Sequence, residues 1–522
     1  MPEERTTDVL VIGAGPAGLM LANWLAKCGV DAMVIDSKNG PTRESRAIVI
    51  QARSMEIFAQ LGVVDTVLEQ CSSATTLSPG FGRRRLGVVP IGELGRGVTP
   101  YPRLYVLEQS KTEAILVASL AARGRQVGWG QTLRTLHEHR AGGVVATAFS
   151  GDEEIVYRAR YCVGADGSGS TVRRILGIPF PGTTDGHLFS VCDATGVRGL
   201  RSDEITVRLG DDDFLLTFPM SGEGHHRLIG IAKAPVATGR PHRGADAPSG
   251  RDAALITDDD VRPRVDRFSG VTWGESLWFA TYRVHHRVAS QFRRGSVFLV
   301  GDAAHVHSPV GAQGMNTGLQ DAHNLALKLV DVFSGVASDA SLDRYEAERR
   351  PVALKLVATT DRLFGFVTSG SRRARVARRV LAVAAVPVAT RVIPRLRSSS
   401  RLFEYVSQVR VHYWMDAEAK QRAGSRRDPV IGRRLPYTGP NFESLGDGVW
   451  QVHEYGPVDP ASVARLESAL GVPVRVFPAA EGRSLSPGTF YLVRPDGFVA
   501  AASRTPGAAE VLRASLPDLL RG

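Results

Sequence analysis

Residues 295–329 read GSVFLVGDAAHVHSPVGAQGMNTGLQDAHNLALKL, and each part of this stretch has its own signature. The pattern predicts a strand over 296–300, a tight turn at 301–302, a loop rich in glycine and proline over 309–314, and then a helix. The helix is indicated by apolar residues at three/four spacing, namely Leu319, Ala322, Leu325, Ala326, Leu329, Val330 and Phe333.

Glycines and one carboxylate mark the approach to this helix. The helix N-terminus is surrounded in sequence by three glycines, Gly311, Gly314 and Gly318. The N–H groups there lack intrahelical partners, and together with the positive end of the helix dipole they favour an electron-rich ligand edge. Asp302 lies one loop upstream and can accept hydrogen bonds from sugar-like hydroxyl groups. A glycine-rich loop followed by a capped helix is the alternative that this stretch alone leaves open.

The composition is that of an ordinary globular protein. A chain of 522 residues, 43% hydrophobic and 22% charged, can bury a large core and is expected to divide into two or three domains. The net charge is +11, but only 7 of the 64 basic residues are lysine and the other 57 are arginine. The arginines are scattered and accompany no recognition motif, so a biased codon pool explains them and we expect no nucleic-acid partner.

The cysteines and the apolar segments indicate a cytoplasmic protein. Cys28, Cys71, Cys162 and Cys192 have no CxxC or metal-ligand spacing, so we expect reduced thiols and no metal site. The polar start MPEERTT leads straight into a strand, which argues against a signal peptide. The longest charge-free apolar stretch, residues 380–390, is too short to span a bilayer, so we expect no membrane partner.

The N-terminus carries a dinucleotide-binding fingerprint. The apolar strand DVLVI is followed by GAGPAG at residues 13–18, a helix, and a second strand that ends in Asp36. Gly13 permits the tight turn, Gly15 lets a pyrophosphate approach the backbone, and Gly18 allows close packing of helix on strand. Asp36 is placed to hold a pair of ribose hydroxyls. The fingerprint alone does not separate FAD from NAD.

Further elements follow in the first third of the chain. Arg46 comes soon after the second strand, where an arginine can neutralise a pyrophosphate or belong to a solvated loop. Residues 71–101 are rich in Gly, Ser and Pro and predict a mobile excursion. Gln109 opens a helix, where it can bind a flavin or act as a cap. Asp166 is a carboxylate at the end of a strand, next to a glycine turn, which is the same arrangement as at Asp302.

These motifs together resemble those of a known family, the group A flavoprotein aromatic monooxygenases related to para-hydroxybenzoate hydroxylase. The motifs that carry the resemblance are GAGPAG (13–18), ESRAIVIQARSME (44–56), LEQ (107–109), GADGSGSTVR (164–173), the GD motif from Gly301 onward, and LDRYEAERRPVA (342–353). The sequence departs from the family pattern at two places. Asp36 replaces the more frequent glutamate, and GSGSTVR (167–173) matches the usual small-Arg-Ser run after the DG less closely.

The resemblance implies which residues bind the cofactor. In that family the first motif holds the ADP half of FAD, the central DG motif is linked to both FAD and NAD(P)H, and the GD aspartate contacts the ribityl chain. The backbone at 315–316 would meet the isoalloxazine ring. The implied FAD-binding positions are Gly13, Gly15, Pro16, Ala17, Gly18, Asp36, Ser37, Arg46, Gln109, Leu133, Asp166, Asp302, Pro309, Gly314, Met315 and Asn316.

The rest of the chain divides by pattern. The predicted fold is α/β, with a Rossmann-like FAD-binding domain (1–180 and 283–350), an inserted antiparallel substrate-binding sheet (181–282) and a helical segment (351–425). Residues 426–522 resemble the thioredoxin-like C-terminal domain of the phenol and polyketide hydroxylase branch. No cysteine follows Cys192, which excludes a dithiol role for that domain.

The resemblance implies an enzyme that consumes NAD(P)H and molecular oxygen. In the family, reduced FAD adds oxygen, and the resulting C4a-hydroperoxide hydroxylates an aromatic ring. A Baeyer–Villiger or epoxidising oxygenase and a non-enzymatic FAD-binding regulator are the alternatives. We assign no catalytic residue, leave a homodimer open, and name His225, Tyr282 and Phe218 as candidates for substrate contact.

A bulky substrate is expected. Thioredoxin-like tails occur on phenol and polyketide hydroxylases, and the arginine-heavy composition is typical of the high-GC actinobacteria that make polyketides. The inserted sheet offers apolar strand positions such as Phe214, Leu216, Phe218, Trp278 and Phe279, and no cluster of arginines sits on those strands to clamp a small carboxylate. We therefore predict a polycyclic, polyketide-type aromatic substrate, since apolar area would supply the affinity.

Overall fold

A computed structural model describes most of the chain. The described residues are 3–42, 47–139, 142–233, 256–308, 312–392, 399–413, 430–480, 484–504 and 507–520. Among the predicted site residues, Arg46 and Pro309 lie outside these ranges. The described part forms four β-sheets and a set of helices, which confirms the predicted α/β class.

The first sheet carries the cofactor motifs. Its order is β10-β11-β12-β1-β2-β9, and β19 pairs with both β12 and β18. The strands are β1 (Glu3–Ile12), β2 (Ala32–Asp36), β9 (Val127–Trp129), β10 (Gln131–Glu138), β11 (Val144–Ser150), β12 (Glu153–Gly164), β18 (Arg293–Arg294) and β19 (Val297–Leu299). Because β2, β1, β12 and β19 are parallel, their carboxyl ends, each followed by a predicted motif, meet at one edge.

The second sheet is the predicted insert with additions. Its order is β20-β17-β13-β16-β15-β14-β5-β6, with β7 paired to β5. The strands are β5 (Thr76–Phe81), β6 (Arg84–Arg85), β7 (Val89–Pro90), β13 (Gly182–Ala194), β14 (Glu204–Leu209), β15 (Phe214–Pro219), β16 (His226–Lys233), β17 (Ser276–Val288) and β20 (His305–Val306). The predicted excursion at 71–101 therefore contributes strands, and β5 runs parallel to β14, so the sheet is not purely antiparallel.

Two smaller sheets complete the strands. A short one has the order β3-β8-β4, with β3 (Val49–Ile50), β4 (Ser72–Ala74) and β8 (Leu104–Val106). The C-terminal one has the order β22-β21-β23-β24, with β21 (Gln451–Tyr455), β22 (Val474–Phe477), β23 (Thr489–Val493) and β24 (Val499–Arg504). In it β21 and β22 are parallel, whereas β23 is antiparallel to both of its neighbours.

Helices cover the sheets. They are α1 (Pro16–Lys27), α2 (Ala52–Leu61), α3 (Val64–Gln70), α4 (Gln109–Ala122), α5 (Thr171–Ile175), α6 (Asp258–Ser269), α7 (Gly314–Phe333), α8 (Asp343–Thr368), α9 (Arg372–Val380), α10 (Val386–Val392), α11 (Ser399–Val406), α12 (Pro460–Leu470) and α13 (Ala508–Arg513). Helix α7 contains the whole predicted apolar series and ends at its last member, Phe333, but it begins at Gly314, within the predicted loop. Leu319, Ala322 and Leu325 are fully buried. Within the described ranges, no helix is long and apolar enough to cross a membrane.

Candidate active site

The glycine turn after β1 packs tightly at two positions and is open at the third. Gly13 has φ of 109°, and a Cβ there would lie 2.4 Å from the carbonyl oxygen of Ala165. A Cβ on Gly18 would lie 2.0 Å from the Gly13 carbonyl oxygen. A Cβ on Gly15, by contrast, would meet no heavy atom within 4 Å. The fold therefore requires Gly13 and Gly18, while Gly15 leaves room for a ligand to approach the backbone.

Asp36 holds the glycine turn from the end of β2. It is buried, and its Oδ2 accepts a hydrogen bond of 2.7 Å from the backbone N–H of Ala14. Its Oδ1 accepts a second bond, of 2.8 Å, from the Lys38 N–H. Pro16 and Ala17 open α1, and Ser37 is exposed beside the acid. A carboxylate is thus fixed at the edge of the turn, where the ribose was predicted.

Asp166 forms hydrogen bonds within the central motif, residues 164–173. Its Oδ2 accepts hydrogen bonds from the N–H groups of Thr171 (2.7 Å) and Val172 (3.0 Å), and its Oδ1 accepts one from the Ser170 hydroxyl. Burial raises the pKa of Asp166, although these bonds oppose the shift. Asp166 therefore stabilises the start of α5, and this contact was not foreseen from the sequence.

Arg173 connects the central motif to the GD motif. Its Nη1 donates a bond of 2.8 Å to the carbonyl oxygen of Ala303, and its Nη2 donates one of 2.7 Å to the Ser168 carbonyl. The guanidinium also lies 3.8 Å from the centre of the Phe180 ring. Because Arg173 is buried, these contacts fix the separation of the two motifs.

The GD turn packs against the first glycine motif. Gly301 has φ of 58°, and a Cβ there would lie 3.1 Å from the Ala17 Cβ. A Cβ on Gly318 would lie 3.1 Å from the Gly301 Cα and 3.5 Å from the Ala17 Cβ. Asp302 is exposed in the 3-10 turn Gly301–Ala303. Small residues thus bring α1, the turn and α7 into contact, with the Asp302 side chain at their solvent side.

Helix α7 begins at the end of the GD loop. Gln313 precedes its first residue without a side-chain cap. Gly314, Met315 and Asn316 form the first turn, where backbone N–H groups lack intrahelical acceptors. The Asn316 side chain is fully buried, with Oδ1 accepting from the Gln51 N–H (2.8 Å) and Nδ2 donating to the Val49 carbonyl (2.8 Å). The backbone rather than the side chain is therefore the part of Asn316 that a ligand can reach.

Two of the predicted cofactor-binding residues, Gln109 and Leu133, contact protein groups outside the glycine turn and the GD motif. Gln109 opens α4 as predicted and donates a hydrogen bond of 2.9 Å from Nε2 to the Glu113 carboxylate. Leu133 is buried in the core beside the first sheet, on β10. The pairing register between β10 and β11 shifts between Leu133 and Thr135. A cofactor role for these two residues stays a prediction.

One face of the second sheet is apolar and meets the GD loop. Phe218 is buried in a cluster against which Tyr282 and Ala312 pack, and Ala312 stands two residues before α7. Two of the predicted substrate residues are therefore brought together beside the cofactor motifs. His225 is not, because it lies at the turn between β15 and β16, where its Nδ1 is 3.0 Å from the Ser221 carbonyl oxygen.

A buried ion pair on this sheet was missed in the sequence. Arg227 is fully buried, and its Nε and Nη2 bind the two carboxylate oxygens of Asp193 at 2.6 and 2.5 Å. Its guanidinium also lies 5.4 Å from the Trp278 ring centre. Arg227 is an arginine on the strands that the sequence interpretation described as free of an arginine clamp, and Asp193 already engages it. Only the register of β13 against β16, which pairs these residues, could have revealed the contact.

The geometry defines a class of protein. Three features lie at the carboxyl ends of the parallel strands. They are a glycine turn that is open at Gly15, the acid Asp36 at the end of β2, and the start of α7 near the exposed carboxylate Asp302. These features fit an extended dinucleotide, with backbone N–H groups for the phosphates and carboxylates for the sugar and ribityl hydroxyls. The class is therefore a dinucleotide-binding protein with an apolar second sheet against the predicted cofactor site.

Comparison with known proteins agrees. The family described as FAD binding domain matches residues 6–360. The chain is 30% identical to a 6-methylpretetramide 4-monooxygenase of Streptomyces rimosus over 543 residues, covering 97% of this chain and 92% of that protein. It superposes with a TM-score of 0.74 at 30% identity on CabE, an aromatic hydroxylase from angucycline biosynthesis, covering 98% of this chain and 99% of that one.

The fold is also shared with PieE, a flavin-dependent monooxygenase whose structure holds FAD and substrate, at 22% identity and a TM-score of 0.78, with both chains covered completely. This chain belongs to the FAD binding domain family. It is an FAD-dependent monooxygenase, as the motifs predicted.

Proposed function

We propose that this monooxygenase hydroxylates a bulky, polycyclic aromatic compound of polyketide type and takes its electrons from NAD(P)H. The observation that carries the proposal is the apolar face of the second sheet. Trp278, Ala280 and Tyr282 of β17 pack against the cluster that contains Phe218, and Ala312 of the GD loop packs against the same cluster. A multi-ring ligand gains several kcal/mol from such a surface at about 25 cal/mol per Å², more than a single phenol can gain.

The ionic groups of this face support the same substrate class. The Arg227 guanidinium is held by both carboxylate oxygens of Asp193, so the pair presents little net charge to a ligand. A small benzoate would need a cation to offset desolvation of its carboxylate. Two relatives point the same way, since one is named for 6-methylpretetramide and another for angucycline biosynthesis.

The chain's own residues bind and orient the reactants. We infer that Gly15, Asp36 and Asp302 hold FAD, and that the N–H groups at the start of α7 face the electron-rich edge of its ring. Bound FAD supplies the redox and oxygen chemistry. The apolar face holds the aromatic ring beside the GD loop and excludes water.

The remaining assignments concern the domains. We infer an FAD-binding domain of residues 1–180 and 283–350 and a C-terminal thioredoxin-like domain of residues 426–522. Parallel β21 and β22, with β23 antiparallel between β21 and β24, support the second assignment.

Purified protein tests the function. We expect FAD to copurify and tri- or tetracyclic phenols to stimulate oxygen-dependent NAD(P)H oxidation. Product analysis distinguishes a new ring hydroxyl from an oxygen inserted into the ring or an epoxide. Turnover of simple phenols or benzoates at micromolar concentration, together with no binding of tri- and tetracyclic phenols, would contradict the proposed substrate class.

A further inference from the structure

One helical segment on the surface of the protein has its polar and apolar faces reversed. It runs through α9, a π-helical turn (Leu381–Ala385) and α10, and it is continuous because Leu381 and Val386, at the two internal boundaries, have helical backbone angles. A surface helix normally buries its apolar residues and exposes its charged ones. In this segment the inner face is held by arginines, and the outer face is apolar.

The inner face is attached to the rest of the protein through arginine side chains. Arg378 is buried, and its Nη1 donates hydrogen bonds to the backbone carbonyl oxygens of Phe366 (2.8 Å) and Ser369 (2.9 Å). Arg375 donates from Nε to the carboxylate of Asp212, at 3.0 Å, in the turn between β14 and β15. These contacts fix which side of the segment faces outward.

The outer face carries an apolar stripe that is accessible to solvent. The stripe consists of Val376, Ala377, Val380, Leu381, Ala384, Ala385 and Val388, and every member is exposed. In the described part of the chain, the three most exposed large apolar side chains all belong to it, namely Val376, Val380 and Val388, at 58 to 61%. Single exposed apolar residues are normal, but a contiguous row of them marks an interaction surface.

The part of the chain that contains the stripe also carries nearly all of the net charge. Residues 351–413 contain 12 basic and 2 acidic side chains, so they account for +10 of the net charge of +11. In the rest of the chain the acidic side chains nearly balance the basic ones. Arg372 and Arg373 begin α9, are exposed, and form no salt bridge within the described residues. Cations without a counter-charge therefore stand at one end of the apolar stripe.

We propose that the apolar stripe, with Arg372 and Arg373, docks on membrane surfaces that contain anionic lipids. The stripe enters the boundary between headgroups and acyl chains, and the two arginines bind lipid phosphates. The contact is peripheral, because no described helix is long and apolar enough to cross a bilayer. The expectation of no membrane partner rested on the length of this apolar stretch and does not cover contact of this kind. The inference does not depend on the proposed substrate.

Charge and apolar area together decide which occupant fits this face. A second copy of the chain would bring two segments of +10 together, and like charges oppose that contact. A nucleic acid would match the charge but would gain nothing from the exposed valines. A bilayer with anionic lipids offers both phosphates and an apolar interior.

The test is cosedimentation of the full-length, FAD-loaded enzyme with lipid vesicles. The vesicles contain either phosphatidylcholine alone or phosphatidylcholine with about 30% phosphatidylglycerol. One double variant, Val376→Ser with Val380→Ser, removes apolar surface without changing the charge. A second, Arg372→Gln with Arg373→Gln, removes two charges and leaves the stripe intact.

A third double variant is the matched control. Arg134→Gln with Arg465→Gln removes the same charge at exposed positions on β10 and α12. Light scattering reports the oligomeric state of every variant, and thermal melting confirms that each one is folded.

We expect the wild-type enzyme to bind the anionic vesicles, to bind phosphatidylcholine at least tenfold more weakly, and to be released by about 0.5 M sodium chloride. The valine pair should weaken binding about tenfold. The arginine pair should weaken it about 30-fold, which is about fivefold for each arginine, and the control less than twofold.

Two results overturn the inference directly. They are a wild-type enzyme that does not bind the anionic vesicles, and unchanged binding in either the valine or the arginine variant. A wild-type dimer that becomes a monomer only in the valine variant also overturns it, because the stripe is then covered by a second copy of the chain.

Discussion

The imidazole of His305 and the carboxylate of Asp321 form a fully buried pair, with Nε2 of the histidine 2.6 Å from Oδ2 of the acid. The other oxygen of Asp321 accepts a bond of 2.7 Å from Nε of Arg349, which is also buried. β20, α7 and α8 each contribute one member. The strand that follows the Asp302 turn is thereby fixed against α7, whose N-terminus we infer to face the cofactor.

The first prediction tests this buried cluster. Burial alone would raise the pKa of Asp321, but Arg349 and His305 outweigh it and lower the pKa. Asp321→Asn leaves the Arg349 guanidinium without its counter-charge, so we expect the free energy of unfolding to fall by about 3 to 5 kcal/mol. Urea unfolding measures the loss. Asp361→Asn is the control, because Asp361 is more than half exposed, and equal stability of the two variants would contradict the role of the cluster.

The second prediction separates folding from cofactor binding at the glycine turn. Gly15→Ala places its Cβ in open space, so the melting temperature of the apoprotein should be unchanged while FAD affinity falls at least tenfold. Gly18→Ala brings a Cβ to 2.0 Å from a backbone oxygen, so this variant should lose stability itself. Thermal melting and flavin fluorescence titration distinguish the two outcomes. A Gly15→Ala protein with wild-type FAD affinity would show that no phosphate approaches this backbone.

The third prediction concerns Asp302. A charge-assisted hydrogen bond to a ribityl hydroxyl contributes about 1.5 to 3 kcal/mol, so Asp302→Ala should weaken FAD binding by about 10- to 150-fold. The measurement is the dissociation constant of FAD for apoprotein, and Asp152→Ala, at an exposed position before β12, serves as the control. Equal FAD affinity in both variants would remove Asp302 from the site.

Features that depend on short stretches of sequence could be predicted, whereas contacts between distant segments could not. The turns at Gly13, Asp166 and Asp302 follow strands that end in apolar residues, so their meeting at one sheet edge could be foreseen. The Asp193–Arg227 pair and the parallel pairing of β5 with β14 could not, because both depend on register between segments far apart in the chain.

Asp331 differs from Asp321, the other acid of α7, in the direction in which folding shifts its pKa. Burial raises its pKa to about 6, although a hydrogen bond of 3.0 Å from the indole Nε1 of Trp450 opposes the shift. Trp450 precedes β21 of the C-terminal sheet, so this bond joins that sheet to α7. A raised pKa means that the folded protein binds the proton more tightly than the unfolded chain. The stabilisation of the folded protein that comes from binding this proton is therefore complete below about pH 4 and is lost as the pH rises through about 6.

The last prediction follows from that sign. Asp331→Asn keeps an acceptor for the indole but carries no charge to desolvate, so it should be more stable than wild type at pH 8 by about 3 kcal/mol. At pH 5 the gain should be smaller, because the wild-type carboxyl is then largely protonated in the folded state. Urea unfolding at both pH values measures the difference, and Asp259→Asn, at a side chain that is 95% exposed, should show no such dependence. A destabilised Asp331→Asn at pH 8 would mean that the charged carboxylate holds Trp450, and that the C-terminal sheet depends on that charge for its contact with α7.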